Sequence, residues 1–274
     1  MTETTETTET RAFSIPLPRD VGAVNWRGMW ELYMKEVRRF GKVATQTVGA
    51  PMVTTLLFLI IFTFAFDRPP VAGVPFNDFL VPGLIMMSIV QNAFANTSSS
   101  ILVAKVQGNI VDVLMSPLSA VELTVAWTMG AVSRGLIVGL SAAIAMSFFA
   151  DMHLHNAFFI IYHALMGAIF MACLGIIGAV WADKFDHMAA VTNFVITPLT
   201  FLSGTFYTID RLPEGLRFIC NYNPFFYAID GFRYGFLGQE STQTYVGLAV
   251  TGLTALIALS VTYLMLKSGY KLKT

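Results

Sequence analysis

Charged residues are scarce in this chain, and long stretches have none. Of the 274 residues, 12% are charged and 55% are hydrophobic. This composition excludes an ordinary soluble domain and indicates an integral membrane protein. The formal net charge is zero, so the charge balance gives no reason to expect a nucleic-acid partner.

The sequence also has few cysteines and no common phosphate-binding motif. The two cysteines, Cys173 and Cys220, are far apart in the sequence, so we expect neither a disulfide framework nor a metal cluster. There is no Gly-x-x-x-x-Gly-Lys-[Ser/Thr] loop, so the chain is not expected to be an enzyme that hydrolyses ATP by that chemistry. Asp151, His153 and His155 lie close together, but without further ligands in a defined spacing a wet interfacial loop is favoured over a metal site.

Long apolar stretches dominate what is present. A helix needs about 20 apolar residues to cross the hydrocarbon core of a bilayer. Six stretches meet this length, namely residues 43–66, 79–104, 123–150, 157–182, 188–207 and 245–266. The sequence therefore predicts an all-α membrane protein with six transmembrane helices within residues 43–274. Residues 1–24 begin with a Thr-Glu repeat and are expected to form a disordered cytoplasmic tail.

The distribution of basic residues predicts the orientation of these spans. Twelve Lys and Arg residues lie in the N-terminal segment, in the second and fourth connections and at the C-terminus. The opposite face carries four, which are Arg68, Arg211, Arg217 and Arg233. Because cytoplasmic loops are enriched in Lys and Arg, both termini are expected in the cytoplasm.

Residues 25–42, just before the first span, have the pattern of an amphipathic helix. Trp26, Met29, Trp30, Tyr33 and Val37 are spaced for one helical face, and basic residues lie elsewhere. A targeting or calmodulin-binding peptide shows the same pattern. Direct attachment to a span favours an interfacial helix on the membrane surface, which could also brace a cytoplasmic partner.

The connection between the second and third spans, residues 105–119, predicts a short amphipathic helix. Ile110, Val113 and Leu114 have helical spacing, Gly108 precedes them and Pro117 ends the segment. One interpretation is a helical loop that lies on the lipid surface. The other is a coupling helix whose apolar face fits a groove on a cytoplasmic motor.

Polar residues cluster inside two of the predicted spans. Asn92, Asn96 and Ser99 fall on one face of the second span, and the fifth span carries Asn193 and Thr197. Polar groups are costly in hydrocarbon unless they are paired. These faces are therefore expected to meet each other, a second subunit or a water-filled cavity. Each polar residue could serve either in packing between helices or in contact with a ligand.

Arg134 is the one basic residue well inside a predicted span. A charge at this depth is a candidate for function, but a long side chain can also snorkel to the headgroups. Gly135 and Gly139 follow it and predict close packing against another helix.

Residues 204–238 are too apolar for a solvated loop and too interrupted for a single span. Gly204 and Pro224 supply turns, and aromatic residues are abundant. The segment predicts a re-entrant pair of short helices at the outer face before the last span. The alternative is an aromatic surface hairpin with no role in gating.

Two stretches of this segment carry a resemblance to a known family. Leu202-Ser-Gly-Thr-Phe-Tyr207 and the later Asn223-Pro-Phe-Phe-Tyr-Ala-Ile-Asp-Gly-Phe-Arg233 are similar to the signature of the membrane subunits of type-2 (ABC-2 type) ABC exporters. The order of the interfacial helix, coupling helix and re-entrant pair agrees as well. The resemblance implies an inner-membrane permease that forms a homodimer, contacts membrane lipid and binds two copies of a cytoplasmic ABC ATPase. ATP and Mg would be bound by that ATPase, and no cofactor is expected on this chain.

The resemblance also implies a function and three groups of site residues. The expected function is outward transport of an amphipathic or apolar substrate, such as a lipid, a glycan or a drug-like molecule, by alternating access. The alternative is a motor-independent channel or secondary transporter, which would normally carry ionisable residues deep in several spans. The candidate residues are Asn92, Asn96, Arg134, Asn193 and Thr197 for the substrate pathway, Gly204, Pro224, Tyr227 and Arg233 for the outer gate, and Gly108, Ile110, Val113, Leu114 and Pro117 for coupling to the ATPase.

Overall fold

The computed structural model describes residues 22–65, 70, 73–207, 213–239 and 244–272, and their regular secondary structure is helical. Most of the predicted N-terminal tail lies outside the described residues. The helices are α1 (Trp26–Gly41), α2 (Ala50–Ala65), α3 (Phe76–Val106), α4 (Ile110–Leu114), α5 (Ala120–Met146), α6 (Ala157–Trp181), α7 (Phe185–Val191), α8 (Thr197–Phe201), α9 (Glu214–Tyr222), α10 (Pro224–Leu237) and α11 (Thr244–Ser268).

Five helices in the described part of the chain are long and apolar enough to cross a membrane. They are Thr45–Phe64, which includes most of α2, together with α3, α5, α6 and α11. They match the first, second, third, fourth and sixth predicted spans. The predicted fifth span has a different form, because its helix is interrupted and ends at Phe201.

The interruption of the predicted fifth span has a local cause. A π-helical turn, Thr192–Ile196, separates α7 from α8, and a second π turn, Thr45–Gly49, precedes α2. Both turns end two residues before a proline, Pro198 in one case and Pro51 in the other. Proline has no N–H to donate and its ring collides with the carbonyl four residues earlier, so the preceding turn widens. We call residues 185–201 the broken helix.

Helix α3 forms the centre of the bundle, and 83% of its most apolar stretch of 18 residues is buried. Glycines on its neighbours allow this close packing. A Cβ atom added to Gly135 of α5 would lie 2.8 Å from the carbonyl oxygen of Ile89, and Gly139 also faces Ile89. On α6, a Cβ atom added to Gly175 would lie 2.6 Å from the carbonyl oxygen of Phe94. The predicted glycine face of α5 is therefore a helix contact surface.

Helices α2 and α11 lie at the periphery of the bundle. In the most apolar 18-residue stretch of each helix, only 11% of the residues are buried for Thr45–Phe64 and 22% for α11. Their exposed side chains are large and apolar, as in Leu57, Phe64, Leu256 and Leu264. Such surfaces suit contact with lipid or with another membrane helix.

The contact between α5 and α3 predicts that a glycine-to-alanine change destabilises the protein at Gly135, and does not do so at the uncrowded Gly49. Gly135→Ala should lower the free energy of unfolding by about 1–3 kcal/mol, because the added methyl group collides with backbone that cannot move alone. Gly49→Ala meets no atom within 4 Å and should be neutral or stabilising by up to about 1 kcal/mol. Denaturation in detergent micelles measures both, and equal stability of the two variants would contradict the described contact.

Candidate functional site

A groove runs along α3, between this helix and the broken helix. Its volume is about 710 Å³, and its wall extends along α3 from Leu102 to Met87, which is about 22 Å at 1.5 Å per residue. Its lining residues are mainly apolar, with polar groups along one side. They are Phe58, Met87, Gln91, Asn92, Phe94, Ala95, Ser98, Ser99, Leu102, Phe185, Met188, Ala189, Thr192, Ile196, Thr197 and Phe201.

The groove exists because the broken helix stands apart from α3. Its closest packing is against α6 and α10, and one hydrogen bond crosses to α3, from Gln91 Nε2 to Thr200 Oγ1 at 3.2 Å. A second recess of about 330 Å³ lies between α2 and α3 and shares Phe58, Met87, Gln91 and Asn92 with the groove. Both recesses therefore open onto the same stretch of α3.

The structure separates the five predicted pathway residues. Asn92 and Thr197 line the groove from opposite walls. Arg134 lies behind Asn92 and donates from Nη2 to its Oδ1 at 3.1 Å. Asn96 is fully buried beside α1, and Asn193 is exposed on the broken helix.

Asn96 belongs to a polar network that fastens α1 to α3. Arg39 of α1 donates to the carbonyl oxygen of Asn96 at 2.8 Å, to its Oδ1 at 2.9 Å and to Ser99 Oγ at 3.1 Å. Glu36 forms an ion pair with Arg39 at 3.1 Å and accepts from Ser100 Oγ at 2.6 Å. Since Glu36 is 1% exposed, this carboxylate depends on the network for all of its partners. We call these residues the α1 network.

Sequence analysis missed the charged half of this network. The predicted helix over residues 25–42 is present, and Trp26 and Trp30 are exposed as membrane anchors would be. The buried stripe, however, contains Leu32, Glu36 and Phe40. The sequence could have revealed this, because a carboxylate at the centre of an apolar i, i+4, i+8 stripe is expected to be buried and a buried carboxylate requires a partner.

The first turn of α1 is tied to the predicted coupling connection. Asn25 caps α1 by accepting from the backbone of Gly28 at 2.9 Å and donates from Nδ2 to the carbonyl oxygen of Pro117 at 3.1 Å. Glu122 forms a capping box with Ser119 at the start of α5 and also accepts from the Asn25 backbone at 2.5 Å. The two segments predicted to meet a cytoplasmic partner therefore form one surface.

The predicted coupling helix is short, and its apolar face is turned inward. Gly108 has a positive φ of 78° and begins the turn into α4. Ile110 is buried, and Val113 and Leu114 pack against the core. The side chains that point away are Val111, which is 53% exposed, and Met115, which is 81% exposed.

The base of this connection is held by a lysine. Lys105, at the end of α3, donates from Nζ to the carbonyl oxygens of Val180 at 2.7 Å and Ala182 at 2.8 Å. It thereby caps the C-terminal end of α6, where a cation is favourable. Asp183 bridges Lys105 and Lys271 at 3.5 Å and 3.1 Å, and the hydrogen bond from Lys271 lowers the pKa of Asp183.

At the opposite end of the bundle, Arg233 of α10 holds a turn that follows the broken helix. It is almost fully buried and donates to the carbonyl oxygens of Phe79 at 3.2 Å and Gly204 at 2.9 Å. Its guanidinium also lies 3.9 Å from the centroid of the Phe79 ring. Gly204 has a positive φ of 74°, which residues with a side chain adopt only at a cost.

Pro224 and Tyr227 stabilise the start of α10. Pro224 is its first residue, and the preceding Asn223 caps the helix by accepting from the Phe225 backbone at 3.1 Å. The Tyr227 hydroxyl donates to the carbonyl oxygen of Asn221 at 2.9 Å. Of the four predicted gate residues, Gly204 and Arg233 are therefore in direct contact, and Pro224 and Tyr227 shape the helix that carries Arg233.

An aromatic cluster lies at this same end of the groove. The Phe206 ring stacks on Phe62 with centroids 4.8 Å apart and on Phe201 with centroids 5.5 Å apart, and it lies 5.8 Å from Phe58. Phe58 and Phe201 are also groove residues. We call these four residues the aromatic plug. Sequence analysis missed it because Phe58 and Phe62 look like ordinary lipid-facing residues in an apolar span.

His163 lies apart from the acidic and histidine residues of the connection at 151–155. It is fully buried on α6, its Nδ1 lies 3.4 Å from Thr251 Oγ1, and its ring faces Gly231. His155 instead packs its ring against Tyr234 at 5.6 Å. Both cysteines are free and buried. These side chains contact neighbouring helices away from the groove.

Comparison with known proteins identifies the family. The sequence pattern of the ABC-2 type transporter family matches residues 27–237, which covers most of the chain. The chain belongs to this family. It is similar to the inner membrane transport permease YadH of Escherichia coli K12, with 36% identity over 215 residues, or 78% of this chain and 84% of YadH.

More distant similarity extends to two nodulation proteins. Nodulation protein J of Rhizobium leguminosarum bv. viciae is 22% identical over 233 residues, which cover 84% of this chain and 88% of that protein. Nodulation protein J of Neorhizobium galegae is 20% identical over 221 residues, or 80% of this chain and 83% of that protein. The chain is thus a multi-pass membrane transport subunit of an ABC transporter, and its family implies an ABC ATPase partner.

The α1 network predicts a specific pattern of stability changes in this permease. Arg39→Gln leaves the Glu36 carboxylate buried without its counter-ion. It should lower the free energy of unfolding by about 2–3 kcal/mol, which is less than for a fully buried pair because a third of the Arg39 side chain is exposed.

The double variant provides the internal test of this prediction. Glu36→Gln combined with Arg39→Gln should restore much of the loss, because no buried charge then lacks a partner. The matched control is Arg38→Gln, an exposed change on the same helix that should stay within about 0.5 kcal/mol of the wild type. If the double variant is less stable than Arg39→Gln alone, the ion pair is not the reason for the loss.

Proposed function

We propose that this permease moves an amphipathic or apolar substrate, such as a lipid, a glycan or a drug-like molecule, outward across the inner membrane. Two permease copies would form a homodimer, and two copies of a separate ATPase, which bind ATP and Mg, would power alternating access. The single observation that carries this proposal is the groove along α3. It is long and mainly apolar, has polar groups along one side and meets a cluster of aromatic rings at one end.

The chemistry of the lining supports an amphipathic or apolar substrate over a small ion. The groove residues include no Asp, Glu, Lys or Arg, and an ion stripped of water needs charged or densely packed polar ligands. Phe58, Phe94 and Phe185 offer apolar contact area, and Asn92, Ser99 and Thr197 offer hydrogen bonds. This combination fits a molecule with one apolar part and one polar part.

The orientation of the route follows from the basic residues. The positive-inside rule places both termini, α1 and α4 in the cytoplasm, and the aromatic plug at the outer end. In this arrangement the broken helix serves as the fifth of six spans, and α9 and α10 form the re-entrant pair. Arg233 and Gly204 would then act on the gate indirectly, by holding the turn that delivers Phe206 to the plug.

The ATPase would bind the surface formed by α4 and the first turn of α1. Val111 and Met115 are the exposed apolar side chains of the connection. Ile110, Val113 and Leu114 would support them from behind, and Gly108 and Pro117 would shape the turns at either end. Lys105 fixes the base of the connection to α6, so that a push on α4 would reach the bundle and not merely bend a loop.

Binding to the ATPase is tested with two residues of equal exposure. Met115 is 81% exposed beside α4, and Phe148 is 82% exposed at the opposite end of α5. Met115→Asp should strongly reduce co-purification of the cognate ATPase, because a charge would replace apolar contact area. Phe148→Asp should leave the yield of the complex unchanged.

The motor-independent alternative predicts a different result. A channel or secondary transporter would transport its substrate in proteoliposomes without any ATPase. Transport by the purified chain alone, or equal co-purification of both variants, would contradict the proposal.

The aromatic plug is tested by accessibility from outside, which requires no knowledge of the substrate. The reporter is Thr197→Cys in a chain whose two native cysteines are replaced. A membrane-impermeant maleimide added at the outer face should label it severalfold faster when Phe206 is changed to Ala, because a hydrophobic constriction that excludes water is removed. Phe158→Ala, which removes an aromatic ring exposed on α6, should leave the rate unchanged. Rapid labelling with the plug intact would show that the rings do not close the route.

A further inference from the structure

Arg134 lies well inside α5 and has no counter-ion among the residues that the structure describes. It is fourteen residues from the start of α5, about 21 Å along the helix axis at 1.5 Å per residue. Among the described residues it takes part in no ion pair. Its Nη2 donates to the neutral Asn92, and its buried Nε has no hydrogen-bond partner. A guanidinium in such a place is costly unless an anion completes its surroundings.

The charges around Arg134 do not balance. Arg39 lies on α1, which packs against the helix of Arg134, and the Glu36 carboxylate is committed to Arg39 and Ser100. The region where α1, α3 and α5 meet therefore contains two guanidinium groups and one carboxylate. One positive charge is left over, and it is that of Arg134, whose Nε has no hydrogen-bond partner.

This excess charge lies directly behind the groove wall. Asn92 accepts from Arg134 and lines both the groove and the smaller recess. Ser99, which accepts from Arg39, lines the groove two helical turns further along α3. Both arginines are thus one side chain away from the groove, on its polar side. The other side is mainly apolar.

We propose that Arg134 and Asn92 bind the anionic group of an amphiphilic cargo, a phosphate, sulfate or carboxylate, whose apolar chain occupies the groove. The proposal rests on the proposed function and specifies its substrate class. Arginine suits this role because its planar, permanently charged donors match the oxygen atoms of such groups. The positive charge without a counter-ion would then be neutralised by the cargo itself.

Three probes separate the possible sources of the anion. The first is radiolabelled 1-oleoyl lysophosphatidic acid, and the second is 1-oleoylglycerol, which has the same chain and glycerol but no phosphate. The third is inorganic phosphate, used as a competitor. Binding is measured by scintillation proximity on the full-length chain in a nonionic detergent. The assay needs no ATPase, so a failure of ATPase binding would leave this measurement intact.

We expect the lysophosphatidic acid to bind more tightly than 1-oleoylglycerol. Arg134→Gln should weaken its binding about tenfold, which is the loss expected for one charge-assisted interaction. Arg134→Lys should lose less affinity than Arg134→Gln because it keeps the charge but not the planar donors, and neither change should alter the binding of 1-oleoylglycerol. Arg38→Gln, an exposed change on α1, should have no effect.

Two outcomes would overturn the proposal. One is equal binding of lysophosphatidic acid by the wild type and Arg134→Gln, provided that gel filtration shows both to be folded. The other is displacement of the lipid by inorganic phosphate at similar concentrations, because that would indicate a site for a free anion.

Discussion

A cation that is withdrawn from water must exchange its hydration shell for oxygen atoms of the protein. This constraint determines how the bundle is assembled around α3. Arg39 meets the carbonyl oxygen and side chain of Asn96, Lys105 meets the last carbonyl oxygens of α6, and Arg233 meets the carbonyl oxygens of Phe79 and Gly204. Backbone carbonyls are useful partners because they bring no charge of their own and are already fixed by secondary structure. Each of these contacts therefore joins one element to another at low desolvation cost.

All three contacts involve α3, and this fact identifies which parts of the fold can move. The α1 network holds α1 to its middle, Lys105 holds α6 to one end, and Arg233 holds α10 and the Gly204 turn to the other end. In the described part of the chain, the broken helix has no comparable attachment to α3, since a single neutral hydrogen bond from Gln91 connects the two. Its π turn also weakens it internally. The groove therefore has one rigid wall, α3, and one wall that can be displaced at much smaller cost.

Hydropathy alone predicted most of the fold, because a run of about 20 apolar residues has few alternatives to a membrane helix. Five of the six predicted spans correspond to long apolar helices. The form of the fifth could not be read from hydropathy, although Pro198 and the matching case at Pro51 were visible signals. The candidate site was harder to predict because it depends on distance. Asn92 and Asn96 have equivalent positions on one helical face, yet one lines the groove and the other is enclosed by Arg39 and Glu36. Only the placement of α1 distinguishes them.

The polar face of α3 thus has two parts, and Ser99 belongs to both. It accepts from Arg39 of α1 and at the same time lines the groove. The glycine contacts of α5 and α6 with α3 resist movement of α3. A displacement of α1 would therefore lengthen or break the bond between Arg39 and Ser99 before it changed the packing of α3. A cytoplasmic partner that shifts α1 would then alter the polarity of the groove wall through one hydrogen bond. Coupling between two sites needs a contiguous physical contact between them, and Glu36, Arg39 and Ser99 form one between α1 and the groove.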